Sequence, residues 1–256
     1  MKNIHIIGDS QTAKISYLMP DYFRSQNDEH VFRDSDNKMT NNYYRFNQES
    51  WMDNGKVIEE EVKIFIRYKE GVYSYSDSQH NLSFSYHPGA SAYRFNYEDY
   101  EYMNEWNNKS SNIVPFLGYV DIRNYLPRYK NTDDVAKMYV EKTIKKFDKA
   151  NIVFMEPLPQ FITYIINGWV LNSADPDIDF ETRYEYHYEF IDSLKKYSRQ
   201  YGLEDPISSI DIMKTDMIEP HMQPKKMPII MNDHLKPHLY KPFLDEIFTN
   251  NKIKEC

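Results

Sequence analysis

Cysteine is all but missing: the 256 residues hold one, and it is the last, Cys256. An intramolecular disulfide is excluded, so stability must come from a packed core, which suits a reducing compartment. Long apolar runs are missing too. The longest mostly apolar stretch, Phe161 to Leu171, is broken by Thr163, Asn167 and Gly168 and falls short of the about 20 residues that cross a bilayer. The opening Met1-Lys2-Asn3-Ile4-His5-Ile6-Ile7-Gly8 has too short an apolar run for a signal peptide, so a cytoplasmic protein is expected. Basic excess is absent. A net charge of −8 argues against nucleic acid as a partner, because such binding needs cationic surface to release counterions. Glycine is scarce, at 7 residues, which makes the position of each one informative.

What is present is a globular composition, 41 % hydrophobic and 27 % charged, which is neither that of a disordered tail nor that of a membrane protein. Tyrosine is abundant at 23 residues. Its flat apolar face and hydroxyl suit sugar or protein surfaces, and equally a Tyr-rich core. The richness in Asn, Lys, Ile and Tyr is that of an AT-rich genome, such as a virus carries.

The elements alternate along the chain. Strands are expected at 3–7, 82–86, 113–117, 151–155 and 209–213. Helices are expected from Ser10 towards Phe23, over 90–106, from Thr132 to Phe147, from Phe180 to Tyr201 with Gly202 as its stop, and over 238–248. Val62 to Tyr68 and Val72 to Ser76 flank Lys69-Glu70-Gly71 and read as a β-hairpin. This order predicts one domain over 1–256, an α/β/α three-layer sandwich on a mostly parallel sheet, with an insertion at about 25–80 that carries the hairpin. Ligands of such sheets bind beyond the carboxyl ends of the strands. Gly8, Gly89 and Gly118, three of the seven glycines, fall just after those ends.

The first chemical candidate is Gly8-Asp9-Ser10 at the end of the first strand. A serine there stands near a helix N-terminus, whose amides favour developing negative charge; equally, Asp9 or Ser10 reads as a helix N-cap. A serine nucleophile needs a base. Among eight histidines, His234 in Asn232-Asp233-His234-Leu235-Lys236-Pro237 precedes the last helix and follows the final strand.

These strings resemble the SGNH/GDSL hydrolase superfamily. Ile4-His5-Ile6-Ile7-Gly8-Asp9-Ser10 is similar to its first block and His87-Pro88-Gly89-Ala90-Ser91-Ala92 to its second. Phe116-Leu117-Gly118-Tyr119-Val120-Asp121-Ile122-Arg123 is similar to the polysaccharide-associated variant of the third, with a G-x-x-D-x-R pattern. Asp233-His234 is similar to the last. The resemblance implies a flavodoxin-like SGNH fold and an ester hydrolase. Ser10 would be the nucleophile, His234 the base, and the amides of Ser10 and Gly89 the oxyanion donors. Gly118, Asp121 and Arg123 would line the oxyanion and substrate side.

Two positions depart from the family pattern. Val120 stands where an asparagine usually donates to the oxyanion, and Met231 stands where the acid usually lies. Arg123 could supply charge in place of the asparagine, and Asp121 could hold Arg123 or the loop. Asp233, Glu156 or no acid at all could orient His234. The implied substrate is an O-acyl, above all O-acetyl, group on a carbohydrate or another small ester. An acyltransferase and a non-catalytic glycan-binding or virion protein stay open. No cofactor is expected, and no metal, since His221 and His234 lack paired ligands.

Overall fold

The computed structural model describes residues 2–9, 12, 43–45, 52–53, 56–57, 63–65, 72–76, 80–87, 89–129, 131–158, 165–166, 169–170, 180–214 and 241–255. Its centre is β1 (Lys2–Gly8), whose Ile4, Ile6 and Ile7 are fully buried. A strand apolar on both faces belongs inside a covered parallel sheet. β2 (Val72–Ser76) and β3 (His80–Tyr86) form an antiparallel pair, and β3 then runs parallel to β1. On the other side β4 (Ser111–Phe116) is parallel to β1, and β5 (Asn151–Ile152) is parallel to β4. The order is β2-β3-β1-β4-β5, a mostly parallel sheet with one antiparallel edge. Hydrogen bonds from Val153 N to Ile113 O and from Met155 N to Pro115 O carry the β4–β5 pairing on to Met155.

Helices complete the sandwich. α1 (Thr132–Lys146) starts where the Asn131 side chain accepts from Asp134 N. α2 (Phe180–Gln200) stops at Gly202, where Leu203 N returns to Ser198 O. Short α3 (Ser209–Lys214) and α4 (Lys241–Thr249) follow. Ile7, Ile113, Ile152 and Phe154 form one core with Val135, Ala136, Tyr139 and Val140 of α1 and Phe190 and Leu194 of α2. Side chains alternate along a strand, so Ile4, Ile6, Leu82, Phe84, Val114 and Val153 face the other way. These are buried as well, as are Phe243, Leu244 and Ile247 of α4. Each such side chain contributes roughly 1.5–3 kcal/mol by leaving water.

The amino ends of the strands are tied by an amide ladder. Asn112 Nδ2 donates to Asn3 O and Lys254 O, and Asn151 Nδ2 donates to Asn112 Oδ1 and Lys252 O. That edge is closed by the C-terminal segment, which leaves the carboxyl edge for chemistry.

Three expectations change. Residues 209–213 form α3, not a strand; Ile207 alone makes a parallel bridge, to Met155. The hairpin pairs differently: Lys63–Phe65 runs antiparallel to Tyr43–Arg45, while Val72–Ser76 pairs with β3. Within 90–106 the chain makes turns and two 3-10 segments, Tyr97–Asp99 and Glu101–Asn104, in place of one helix. The expected helix from Ser10 to Phe23 lies outside the described residues apart from Thr12.

Candidate active site

Three strand ends converge. β1 finishes at Gly8, and Asp9 after it is fully buried. Thr12 N donates to Asp9 O at 3.1 Å, so the chain turns there. His87 N donates to Gly8 O at 2.8 Å, which brings the end of β3 beside that of β1. A Cβ added to Gly8 would sit 1.9 Å from Thr12 Oγ1 and 2.6 Å from Phe116 O, so the end of β4 presses on the same point. Only a hydrogen fits there.

The segment after β3 is held at many points. Ala90 N donates to His87 O, closing a turn in which Gly89 takes φ +67° and is exposed; among the described residues, its chain neighbours aside, nothing lies within 4 Å of where a Cβ would be. Ser91 Oγ accepts from Arg94 N, and Ser91 O from Phe95 N. Lys142 Nζ of α1 donates to Tyr93 O at 2.9 Å. Two further amides meet a carboxylate: Ala92 N donates to Asp121 Oδ2 at 2.6 Å and Tyr93 N to Asp121 Oδ1 at 3.0 Å.

Asp121 opens a π-helical turn, Asp121–Tyr125, that begins three residues after Gly118 and runs on as Leu126–Tyr129. Such wide turns are uncommon and recur at functional sites. Asp121 is completely buried. Burial pushes its carboxyl up to about 7, although the amides of Tyr93 and Ala92 favour the charged form. Gly118 has φ +117°, and a Cβ there would lie 2.7 Å from Phe190 Cε1 and 3.3 Å from Pro157 Cγ. The glycine thus lets the π-turn pack against α2. Leu117 N donates to the Tyr139 hydroxyl of α1, which fixes the preceding peptide.

Polar groups beneath the loop are paired. Ser85 Oγ lies 2.5 Å from His87 Nε2 and 2.6 Å from the Tyr102 hydroxyl. Phe95 and Tyr100 pack on the His87 ring, 4.6 and 4.3 Å between centroids. Burial holds this imidazole's pKa down at about 4, so it is neutral at pH 7. At the end of β5, Glu156 is buried, accepts from Ser209 N at 3.1 Å and pairs with Lys195 Nζ at 2.9 Å. His187 of α2 is buried there as well and donates from Nε2 to Pro157 O at 3.0 Å. A cleft of about 600 Å³ between α3 and α4 is lined by Asp205, Ser208, Glu246, Asn250 and Lys252. Several of its polar groups already bond one another, such as Lys252 Nζ to Asp205 O and Asn250 Nδ2 to Glu246 Oε1.

Of the residues singled out from sequence, Gly89, Gly118 and Asp121 are described, with Asp121 bonded to the Gly89 loop. Arg123 is half-buried on the same π-turn. Ser10, Asp233 and His234 lie outside the described residues. The carboxylate of Glu156 is taken by Lys195 and Ser209. Sequence reasoning did not single out Lys142, Ser85 and Tyr102 as supports of the loop. The period-2 spacing of Ser85 and His87 places them on one strand face and was a usable signal. Among the described residues there is no group of three or more His, Cys, Asp and Glu able to hold a metal, and no helix long and apolar enough to cross a membrane.

No protein-family model matches the sequence, and no curated protein matches it. Solved structures do match in shape. The acetyl xylan esterase AlAXEase superposes with a TM-score of 0.51 at 13 % identity, over 97 % of this chain and 99 % of that one. A Bacteroides fragilis NCTC 9343 protein assigned as an acylhydrolase gives 0.52 at 13 % identity, over 98 % and 88 %. At this identity the likeness establishes the fold alone: this chain has the α/β architecture of these proteins.

Proposed function

We propose that this chain is a single-domain SGNH-type serine esterase that removes an O-acyl group, above all an acetyl group, from a carbohydrate. The observation that carries this reading is the convergence at one sheet edge. The Gly8-Asp9 end of β1, the Gly89 loop and the third-block Asp121 are tied together there by direct hydrogen bonds. The shape shared with an acetyl xylan esterase adds support.

In this mechanism Ser10 attacks the ester carbonyl while His234 takes its proton and passes it to the leaving sugar hydroxyl. Water, deprotonated by the same imidazole, then releases the acyl group. The amides of Ser10 and Gly89 hold the oxyanion, each such donor being worth about 3 kcal/mol of barrier. Val120 offers no side-chain donor, so Arg123 supplies positive charge on that side. Asp233 orients His234, or the pair works as a dyad, since the acid only steers and stabilises the base.

The test is hydrolysis of p-nitrophenyl acetate and release of acetate from acetylated xylan, by the wild type and by Ser10→Ala. Turnover that disappears in Ser10→Ala supports the reading, and equal rates refute it. Val120 favours a second reading, a glycan-binding protein that keeps the fold without turnover. Covalent labelling of Ser10 by a fluorophosphonate excludes that alternative. Acetyl transfer to an added glycan in preference to water would make the enzyme an acyltransferase.

A further inference from the structure

We infer that Asp121 is a positioning residue: its buried carboxylate, bonded to the Ala92 and Tyr93 amides, sets the Gly89 loop in place as an oxyanion donor. This rests on the esterase reading above.

The bonds join segments 28 and 29 residues apart, one after β3 and one after β4. A carboxylate taken wholly out of water is costly unless several donors replace the solvent. Here the main-chain amides do so, and Ser91 adds a side-chain bond. The clamp is reciprocal. Without Asp121 two amides lose their partner, and among the described residues the segment 91–93 is then held by the Ser91 turn, the grip of Lys142 on Tyr93 O and the packing of Ala92 in the core. Gly89 stands two residues before Ser91, and among the described residues, its chain neighbours aside, no atom lies within 4 Å of the place a Cβ would take. Its amide is therefore placed from both ends of the loop. On one side His87 N is bonded to Gly8 O at the end of the central strand; on the other stands the Asp121 clamp.

An oxyanion donor acts only when charge develops, and small displacements of it cost rate far more than binding. Loosening the clamp should therefore lower kcat and leave KM nearly unchanged. A purely structural role would scale the active fraction and leave that fraction fully labelled by a fluorophosphonate at the wild-type rate.

The experiment measures kcat and KM for p-nitrophenyl acetate, and the labelling rate per folded molecule, in wild type, Ser10→Ala, Asp121→Asn and Lys142→Met. Asp121→Asn keeps one acceptor and puts an amide donor against a donor. Lys142→Met loosens the same loop from its exposed side and keeps the apolar stem, so it reports even where Asp121→Asn does not fold. The expected result is a 10–100-fold loss of kcat in Asp121→Asn and a smaller loss in Lys142→Met. KM stays within about threefold and labelling slows in parallel. Serine-dependent turnover in the wild type with kcat unchanged in both loop variants overturns the positioning role alone. Absence of serine-dependent turnover in the wild type overturns the esterase reading, and this role with it.

Discussion

Alanine at three glycines separates two physical costs that this fold combines. At Gly89 the cost is conformational: φ is +67° and, among the described residues beyond its chain neighbours, no atom lies within 4 Å of the added Cβ. A left-handed alanine costs roughly 1–2 kcal/mol. At Gly118 both costs apply. A φ of +117° lies where side chains are rarely tolerated, worth about 1–3 kcal/mol, and the Cβ would press to 2.7 Å on Phe190 Cε1 and 3.3 Å on Pro157 Cγ. Overpacking of this kind adds about 1–3 kcal/mol, for a total near 4 kcal/mol. At Gly8 the cost is steric. Thr12 Oγ1 can rotate away from 1.9 Å, but the Phe116 carbonyl at 2.6 Å belongs to β4 and moves only with the sheet. The expected order of destabilisation is Gly89→Ala, then Gly118→Ala, with Gly8→Ala at least as severe. For a chain of this size roughly 2–4 °C of Tm accompanies each kcal/mol. Gly89→Ala should therefore melt about 4 °C below wild type and Gly118→Ala about 12 °C below. Urea unfolding followed by circular dichroism, with unchanged m-values, measures the differences directly. A Gly118→Ala protein within about 1 kcal/mol of Gly89→Ala would refute the close contact with α2.

The remaining expectations concern buried polar groups. Burial lowers His5, His87 and His187 from 6.5 to about 4, so the folded state binds fewer protons than the unfolded one between those values. Their contribution is lost as pH falls from about 6.5 to about 4. Asp121, raised to about 7, works in the opposite sense, and its contribution fades as pH rises towards 7. Three histidines outweigh one aspartate. Stability should drop by roughly 3 kcal/mol between pH 7.5 and pH 5, read as urea midpoints; a higher midpoint at pH 5 contradicts this. Lys195→Met strips the partner from buried Glu156 and should cost about 2 kcal/mol, reduced because the lysine is one-third exposed. Adding Glu156→Gln should then cost less than the sum of the single changes, in a double-mutant cycle. Ala92→Pro deletes the amide that Asp121 Oδ2 accepts and should destabilise by about 2 kcal/mol or more, whereas Ala92→Gly keeps the amide and should cost less.

How far the sequence anticipates this structure depends on where the deciding partner lies. β1 was legible because Ile4, Ile6 and Ile7 stand in one short run, which suits only a strand covered on both faces. The start of α1 at Thr132-Asp133-Asp134 and the stop of α2 at Gly202 were legible because helix-end signals are local, although the cap itself is Asn131, one residue earlier. Residues 209–213 misled because Ile210 and Ile212 alternate like a half-buried strand. The bonds that make them helical are local and distant at once: Asp211 N goes to Ser208 Oγ, and Ser209 N to the Glu156 carboxylate, 53 residues away. Over 90–106 the tyrosines are spaced as on a helix face. There Ser91 and Asn96 accept backbone amides locally, and Asp121 takes two more, so the chain spends its donors on turns.

The same reasoning explains why Asp121 was visible and its role was not. A side chain that bonds another side chain leaves two marks in a sequence. One that bonds main-chain amides leaves one, because every residue but proline carries an N–H. The spacing Gly118-x-x-Asp121 marked the carboxylate and suggested Arg123 as one partner. Ala92 and Tyr93 carry no sign that their amides are used. Two neighbouring amides and a buried carboxylate also tolerate wide change in the side chain at 93, though not at 92, where Ala92 is packed in the core. That leaves Tyr93, a residue 48 % exposed whose N–H and C=O are both held, free to vary with whatever meets the loop without loosening it.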